Sequence, residues 1–148
     1  MQLETYPFTK HPESHYYEFY SEGPKGNIKK VVEYYRFPEL GAEVFNLAFG
    51  DWDEDNHHIN DFSTSNNADR DKVLATVAAT VIEFMKEHPY AVLIATGSTL
   101  SRTRLYQMGI ARLWDEINQF FEIQGYINNT WQPFKQGVNY KAFLLKRR

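Results

Sequence analysis

The apolar positions change period once along the chain, near residue 65. Before that point they read as strands. Residues 15–20 form an aromatic run closed by the Gly23-Pro24 turn signal. Residues 28–37 carry Val31, Val32, Tyr34, Tyr35 and Phe37 before Pro38 and Gly41 stop them. Over 43–49 the alternation puts Phe45, Leu47 and Phe49 on one face and Val44 and Ala48 on the other. A short strand over 58–64 follows an acidic turn, and the short connections favour antiparallel neighbours.

Beyond residue 65, Val73, Val77, Val81 and Phe84 recur at helical spacing. They predict a helix over 68–86 that ends before Pro89. Ser65, Asn66 and Asn67 are N-cap candidates, and Asp69 and Asp71 suit the positive end of the helix dipole. Residues 90–96 predict a buried strand, and a second helix over 100–118 turns Tyr106, Ile110, Leu113 and Ile117 inward. Two last strands, 120–126 and 138–145, are joined by a loop over 128–134. The expected class is α+β, a single domain over 1–148. It is a twisted, mostly antiparallel sheet of six or seven strands with two helices on sheet faces. The strands on either side of the first helix form one right-handed β-α-β crossover between parallel neighbours.

With 148 residues, 43% hydrophobic and 16% aromatic, the chain can bury a sizeable core and is not disordered as a whole. No apolar run is long enough for a membrane-spanning helix, and the first residues lack the pattern of a signal peptide. The absence of cysteine excludes disulfides, thiolate metal sites and cysteine nucleophiles. A cytoplasmic protein with no membrane partner is expected. Charge is uneven: residues 1–99 hold 8 basic against 16 acidic side chains, and residues 100–148 hold 8 against 3. An anionic partner would meet the second part, unless the basic end serves only solubility.

The basic excess begins at Ser98-Thr99-Leu100-Ser101-Arg102-Thr103-Arg104-Leu105-Tyr106, where a strand gives way to a helix. Arginines in a first turn oppose the helix dipole, while hydroxyls and open N–H groups there suit a phosphate or carboxylate. Ser98, Thr99, Ser101, Arg102 and Arg104 are therefore candidate ligands for an anion such as a nucleotide, a nucleic acid or a phosphorylated metabolite. The same residues also suit an ordinary N-cap whose arginines pair with Asp69, Asp71, Asp115 or Glu116. Tyr106, one turn on, is a candidate general acid or a core residue with its hydroxyl at the rim.

Other clusters carry less. The turn from Asp51 to His58 starts like a calcium loop but has Asn56 where glycine belongs and Phe62 where a bidentate glutamate belongs, so a solvated hairpin turn explains it better. Adjacent His57 and His58 point to opposite faces of a strand and do not share a metal. Trp131, Phe134 and Tyr140, beside Lys135 and Lys141, suit either stacking on bases or a lid on the sheet. No motif implies a cofactor or a metal.

The run from Asn66-Asn67-Ala68-Asp69-Arg70-Asp71-Lys72-Val73-Leu74-Ala75-Thr76-Val77 to Gly97-Ser98-Thr99-Leu100-Ser101-Arg102-Thr103-Arg104-Leu105-Tyr106, with Asn139-Tyr140-Lys141-Ala142-Phe143, resembles a family of small uncharacterised bacterial proteins. That likeness implies a bacterial cytoplasmic protein. At the level of element order the chain also resembles the GCN5-related acetyltransferases, and Tyr106-Gln107-Met108-Gly109 is similar to their Tyr-x-x-Gly helix motif. This second likeness implies an acyltransferase using acyl-CoA, with Tyr106 as the acid. The glycine-rich pyrophosphate loop at the first helix and the N-terminal helices of that family are absent here. A third possibility is a protein-interaction or oligomerisation module built on the aromatic strands.

Overall fold

The computed structural model describes residues 3–12, 15–60 and 67–148. Its elements are, in chain order, β1 (Thr9–Lys10), β2 (Tyr16–Gly23), β3 (Gly26–Arg36), β4 (Val44–Asp53), β5 (His58–Asn60), α1 (Arg70–Glu87), β6 (Val92–Ala95), α2 (Leu100–Arg112), α3 (Trp114–Ile117), β7 (Phe121–Ile127), β8 (Thr130–Pro133) and β9 (Ala142–Arg147). The strands form one sheet in the order β1-β2-β3-β4-β6-β9-β7-β8, with β5 also paired to β4. Among the described residues only the β4–β6 pair is parallel. The α+β class and the mostly antiparallel sheet follow from the hydrophobic pattern; among the described residues the strands number nine, not six or seven.

The two extra strands have local causes. β1 is two residues long, too short to show a period. β8 lies inside the stretch 128–134 that composition marks as loop. There Asn128 and Asn129 adopt φ of 54° and 60°, the left-handed pair that a two-residue hairpin needs. Trp131 then pairs with Tyr126, and Pro133 blunts the outer strand. The expected second helix is two helices, because Leu113 breaks the run at φ −97°, ψ 10°. Tyr90 does not join the strand expected over 90–96; it lies in the turn after Pro89 and is 85% exposed.

The crossover also differs. β6 does not run parallel to β5; it pairs with the first half of β4, Val44 to Leu47 against Val92 to Ala95. β5 folds back antiparallel on the last three residues of the same strand, Asp51 to Asp53. A ten-residue β4 is long enough to hold two partners on one edge. Between them the edge of β4 is forked at Ala48, Phe49 and Gly50, with no strand partner among the described residues.

Both helices cover one face of the sheet rather than opposite faces. Phe45 and Leu47 of β4 and Phe143 of β9 face the same interior as Val77, Val81 and Phe84 of α1 and Leu113 beyond α2. Helix α1 has Asp69 as its N-cap; the cap candidates Ser65 and Asn66 lie outside the described residues, as do 61–64 of the strand expected after the acidic turn. Asn67 is instead buried under the β2–β3 hairpin. It accepts from Lys25 N at 2.7 Å and donates to Gly26 O at 2.9 Å and to Ser21 Oγ at 3.1 Å. Among the described residues no helix is long and apolar enough to cross a membrane.

Candidate functional site

Strand β6 leaves the sheet at Ala95, and Gly97 turns the chain into α2. The turn is tight: a Cβ at Gly97 would stand 2.5 Å from Thr103 N. Thr103, buried in the first turn, accepts from Gly97 N at 3.1 Å and donates to Thr99 O at 3.1 Å. Thr99 is the N-cap, its Oγ1 accepting from Arg102 N at 3.1 Å. One N–H of the helix start is thereby satisfied by the cap, and the N–H groups of Leu100 and Ser101 precede any intrahelical acceptor.

Around this start the sequence-predicted residues come together. Ser98, Thr99, Ser101 and Arg104 are exposed, and Arg102 and Tyr106 are half-buried. Arg102 Nη2 lies 3.5 Å from the Tyr106 hydroxyl, and its guanidinium sits 5.8 Å from the centre of that ring. Tyr106 in turn packs on Phe49 at the fork of β4, ring centres 4.9 Å apart. Phe49 is a site neighbour that alternation marked only as sharing one strand face with Phe45 and Leu47. Gln107, also unmarked, is buried and accepts from Tyr140 N at 3.0 Å, tying α2 to the segment before β9. A glutamine on the inward face of an amphipathic helix was the signal for it.

The expected pairing of Arg102 or Arg104 with the acids of the first helix does not occur. Asp71 is paired by Arg112, from the last turn of α2, at 2.8 Å. Asp69 accepts from the hydroxyls of Ser21 at 2.5 Å and Tyr6 at 2.6 Å. The two helices meet with the end of α2, not its start, against the start of α1. Burial, and then the bond to Asp69, push the Tyr6 phenol above its usual pKa.

Two other sequence-marked clusters resolve as structure. The acidic turn closes on itself: Asp53 accepts from Asp55 N at 3.0 Å, Asn56 N at 3.1 Å and Asn56 Nδ2 at 2.9 Å. Among the described residues no group of three or more metal-ligating side chains of His, Cys, Asp or Glu clusters. Phe134 and Tyr140 are buried, and Phe134 stacks on Trp114 at 5.2 Å, so these rings form a lid and not a base-stacking surface. Trp131 is half-buried against Tyr126.

Beside the site lies a cavity of about 80 Å³ with an apolar lining that includes Phe49, Ala78, Ala95, Tyr106 and Ile110. No curated protein matches the chain, and no solved structure does. A family model matches residues 2–148, and the chain therefore belongs to a family of unknown function, DUF6934.

Proposed function

We propose that this chain is a binding protein for a small phosphate-containing anion, taken up where β6 passes into α2. The observation that carries the reading is the start of α2, where Arg102 stands three residues past the Thr99 N-cap and Arg104 follows as an exposed fifth helical residue. Positive side chains near a helix start add to the positive end of the dipole, and that combination favours an anion there. The hydroxyls of Ser98 and Ser101 and the N–H groups of Leu100 and Ser101 supply donors; Thr99 serves through its cap, which holds the turn in place. Crevices at the carboxyl ends of parallel strands are common ligand positions.

The test is thermal stabilisation by inorganic phosphate and by ADP, which raise the unfolding temperature of a protein that binds them only when folded. The wild type should be stabilised and the Arg102→Gln/Arg104→Gln double variant should not. Equal stabilisation of both proteins would remove the reading.

A second reading is acyl transfer from an acyl-CoA with Tyr106 as proton donor. It is favoured by the 3.5 Å approach of Arg102 to the Tyr106 hydroxyl, which places a cation where a phenolate would form. Calorimetry with acetyl-CoA decides it, since an absence of heat at millimolar concentration would exclude that substrate.

A further inference from the structure

The residues that α1 and α2 turn fully to solvent differ in kind. On α1 they are Arg70, Glu83, Lys86 and Glu87, the charged set that the outer face of a helix usually carries. On α2 they are Leu100, Ser101, Arg104, Met108 and Arg112, and the helix holds no acidic residue at all. Leu100 is 68% exposed and Met108 51%.

At about 100° per residue these five positions, with the half-buried Leu105 and Ala111, fall within one arc of about 140°. The buried Thr103, Gln107 and Gly109 lie outside it. Leu100 and Met108 stand about 12 Å apart along the axis, with Arg104 between them. Arg112, one turn further, is held by Asp71 at 2.8 Å. None of the ion pairs among the described residues engages Arg104. A single apolar residue on a surface needs no explanation, whereas a continuous apolar stripe set among charges marks a place of contact.

We propose that this outer arc of α2 docks an acidic peptide segment of a partner protein. Aliphatic side chains of the segment lie against Leu100 and Met108, and a carboxylate meets Arg104. The charge of the arc selects an acidic occupant, and residues 100–148 extend that selection with 8 basic against 3 acidic side chains. The spacing i, i+4, i+8 is that of anchors along one helix face, and an unbranched methionine adapts to the side chain laid on it. An anionic lipid surface is recognised by clusters of about four to eight basic residues, and the arc offers two. A single-stranded nucleic acid needs rings to stack on, and the arc has none. The inference goes beyond the anion reading and shares Arg104 with it; Met108 has no part in that reading, so its variant separates the two.

NMR titration of the isotopically labelled full chain with three peptides of about twelve residues tests this. One is built of Glu and Leu, the second has Lys for every Glu, and the third has Ser for every Leu. The Glu/Leu peptide should shift the amide signals of residues 100–112, and the other two should bind at least about tenfold more weakly. Met108→Ser should weaken the Glu/Leu peptide about tenfold, and Arg104→Gln about two- to fivefold. Arg70→Gln, on the exposed side of α1, should leave its affinity unchanged. Absence of Glu/Leu peptide binding, equal binding of all three peptides, or shifts centred on another element would overturn the inference. A stronger response to phosphatidylserine vesicles would assign the arc to a membrane and overturn it too. So would concentration-dependent self-association that Met108→Ser abolishes, since the occupant would then be a second copy.

Discussion

Gly109 of α2 lies against Leu74 of α1 with no space between them for a side chain, an ideal Cβ overlapping Leu74 Cδ1. The contact is with the free end of a leucine, and that end borders the cavity. Gly109→Ala gains about 1 kcal/mol of helix propensity and costs about 0.5–1.5 kcal/mol in displacing Leu74 from its rotamer. Its net effect on stability should therefore stay within about 1 kcal/mol. Gly109→Leu overfills the space and should cost about 1–3 kcal/mol. Urea denaturation of the two variants measures the difference; equal midpoints would mean the helices slide apart freely.

Gly125 of β7 presents the opposite case. A Cβ there would enter the ring of Tyr140, meeting Cγ and both Cδ atoms. That ring cannot move aside. Its hydroxyl accepts from Lys135 N at 2.9 Å and donates to Pro133 O at 3.3 Å, and its backbone N donates to Gln107 at 3.0 Å. Gly125→Ala should cost about 2–3 kcal/mol, near the upper end of overpacking effects. Tyr140→Phe, which removes only the hydroxyl, should cost about 1 kcal/mol in the same denaturation experiment.

These contacts mark the limit of what periodicity shows. The spacing of Val73, Val77, Val81 and Phe84 reveals which side of α1 is buried, and 17 of its 18 residues fall inside the predicted range. The cap at Thr99 is equally local, a hydroxyl three residues before the N–H that it accepts. The pairing of Asp71 with Arg112 joins positions 41 apart, and nothing in either neighbourhood favours Arg112 over Arg102. The same holds for the fork of β4: alternation gives each strand its faces, but the choice of edge partner depends on how far two strands overlap. The cavity is least legible, because a pattern of apolar residues fixes direction and not volume.

Ala68 holds φ at 60°, a left-handed backbone in a residue with a Cβ. It is kept there by its neighbours: Asn67 is anchored under the β2–β3 turn and Asp69 is bound by Ser21 and Tyr6. Relief of left-handed strain is worth about 1–2 kcal/mol and the added freedom of glycine costs about 0.5–1 kcal/mol. Ala68→Gly should therefore stabilise by up to about 1 kcal/mol. Asn67→Ala should destabilise by about 2–4 kcal/mol, since it strands Lys25 N and Gly26 O beneath the hairpin. Thermal melts of the two variants should move in opposite directions, and a lowered melting temperature in Ala68→Gly would contradict the strain.

His15 and His88 meet at the far end of α1, ring centres 4.8 Å apart, packed with Phe84 and Phe45. Burial, then repulsion from His88, Lys10 and Arg36, holds the His15 pKa below its usual value of 6.5, with Glu87 acting the other way. The unfolded chain accepts this proton first, so between the depressed value and 6.5 it binds more protons than the folded chain. Stability is therefore full above pH 6.5, falls as the pH drops below it, and levels out once folded His15 is protonated too. Two carboxylates act lower. Glu18, despite its burial, is drawn down by Lys29 and His11, and Glu87 is drawn down by Lys10. Their contribution is present above the ordinary glutamate value of 4.5 and is lost as the pH falls through their lowered values. Denaturation midpoints should thus decline in two steps on acidification, and His15→Phe should remove the first step alone. A His15→Phe variant that still lost stability just below pH 6.5 as the wild type does would assign that step to another group.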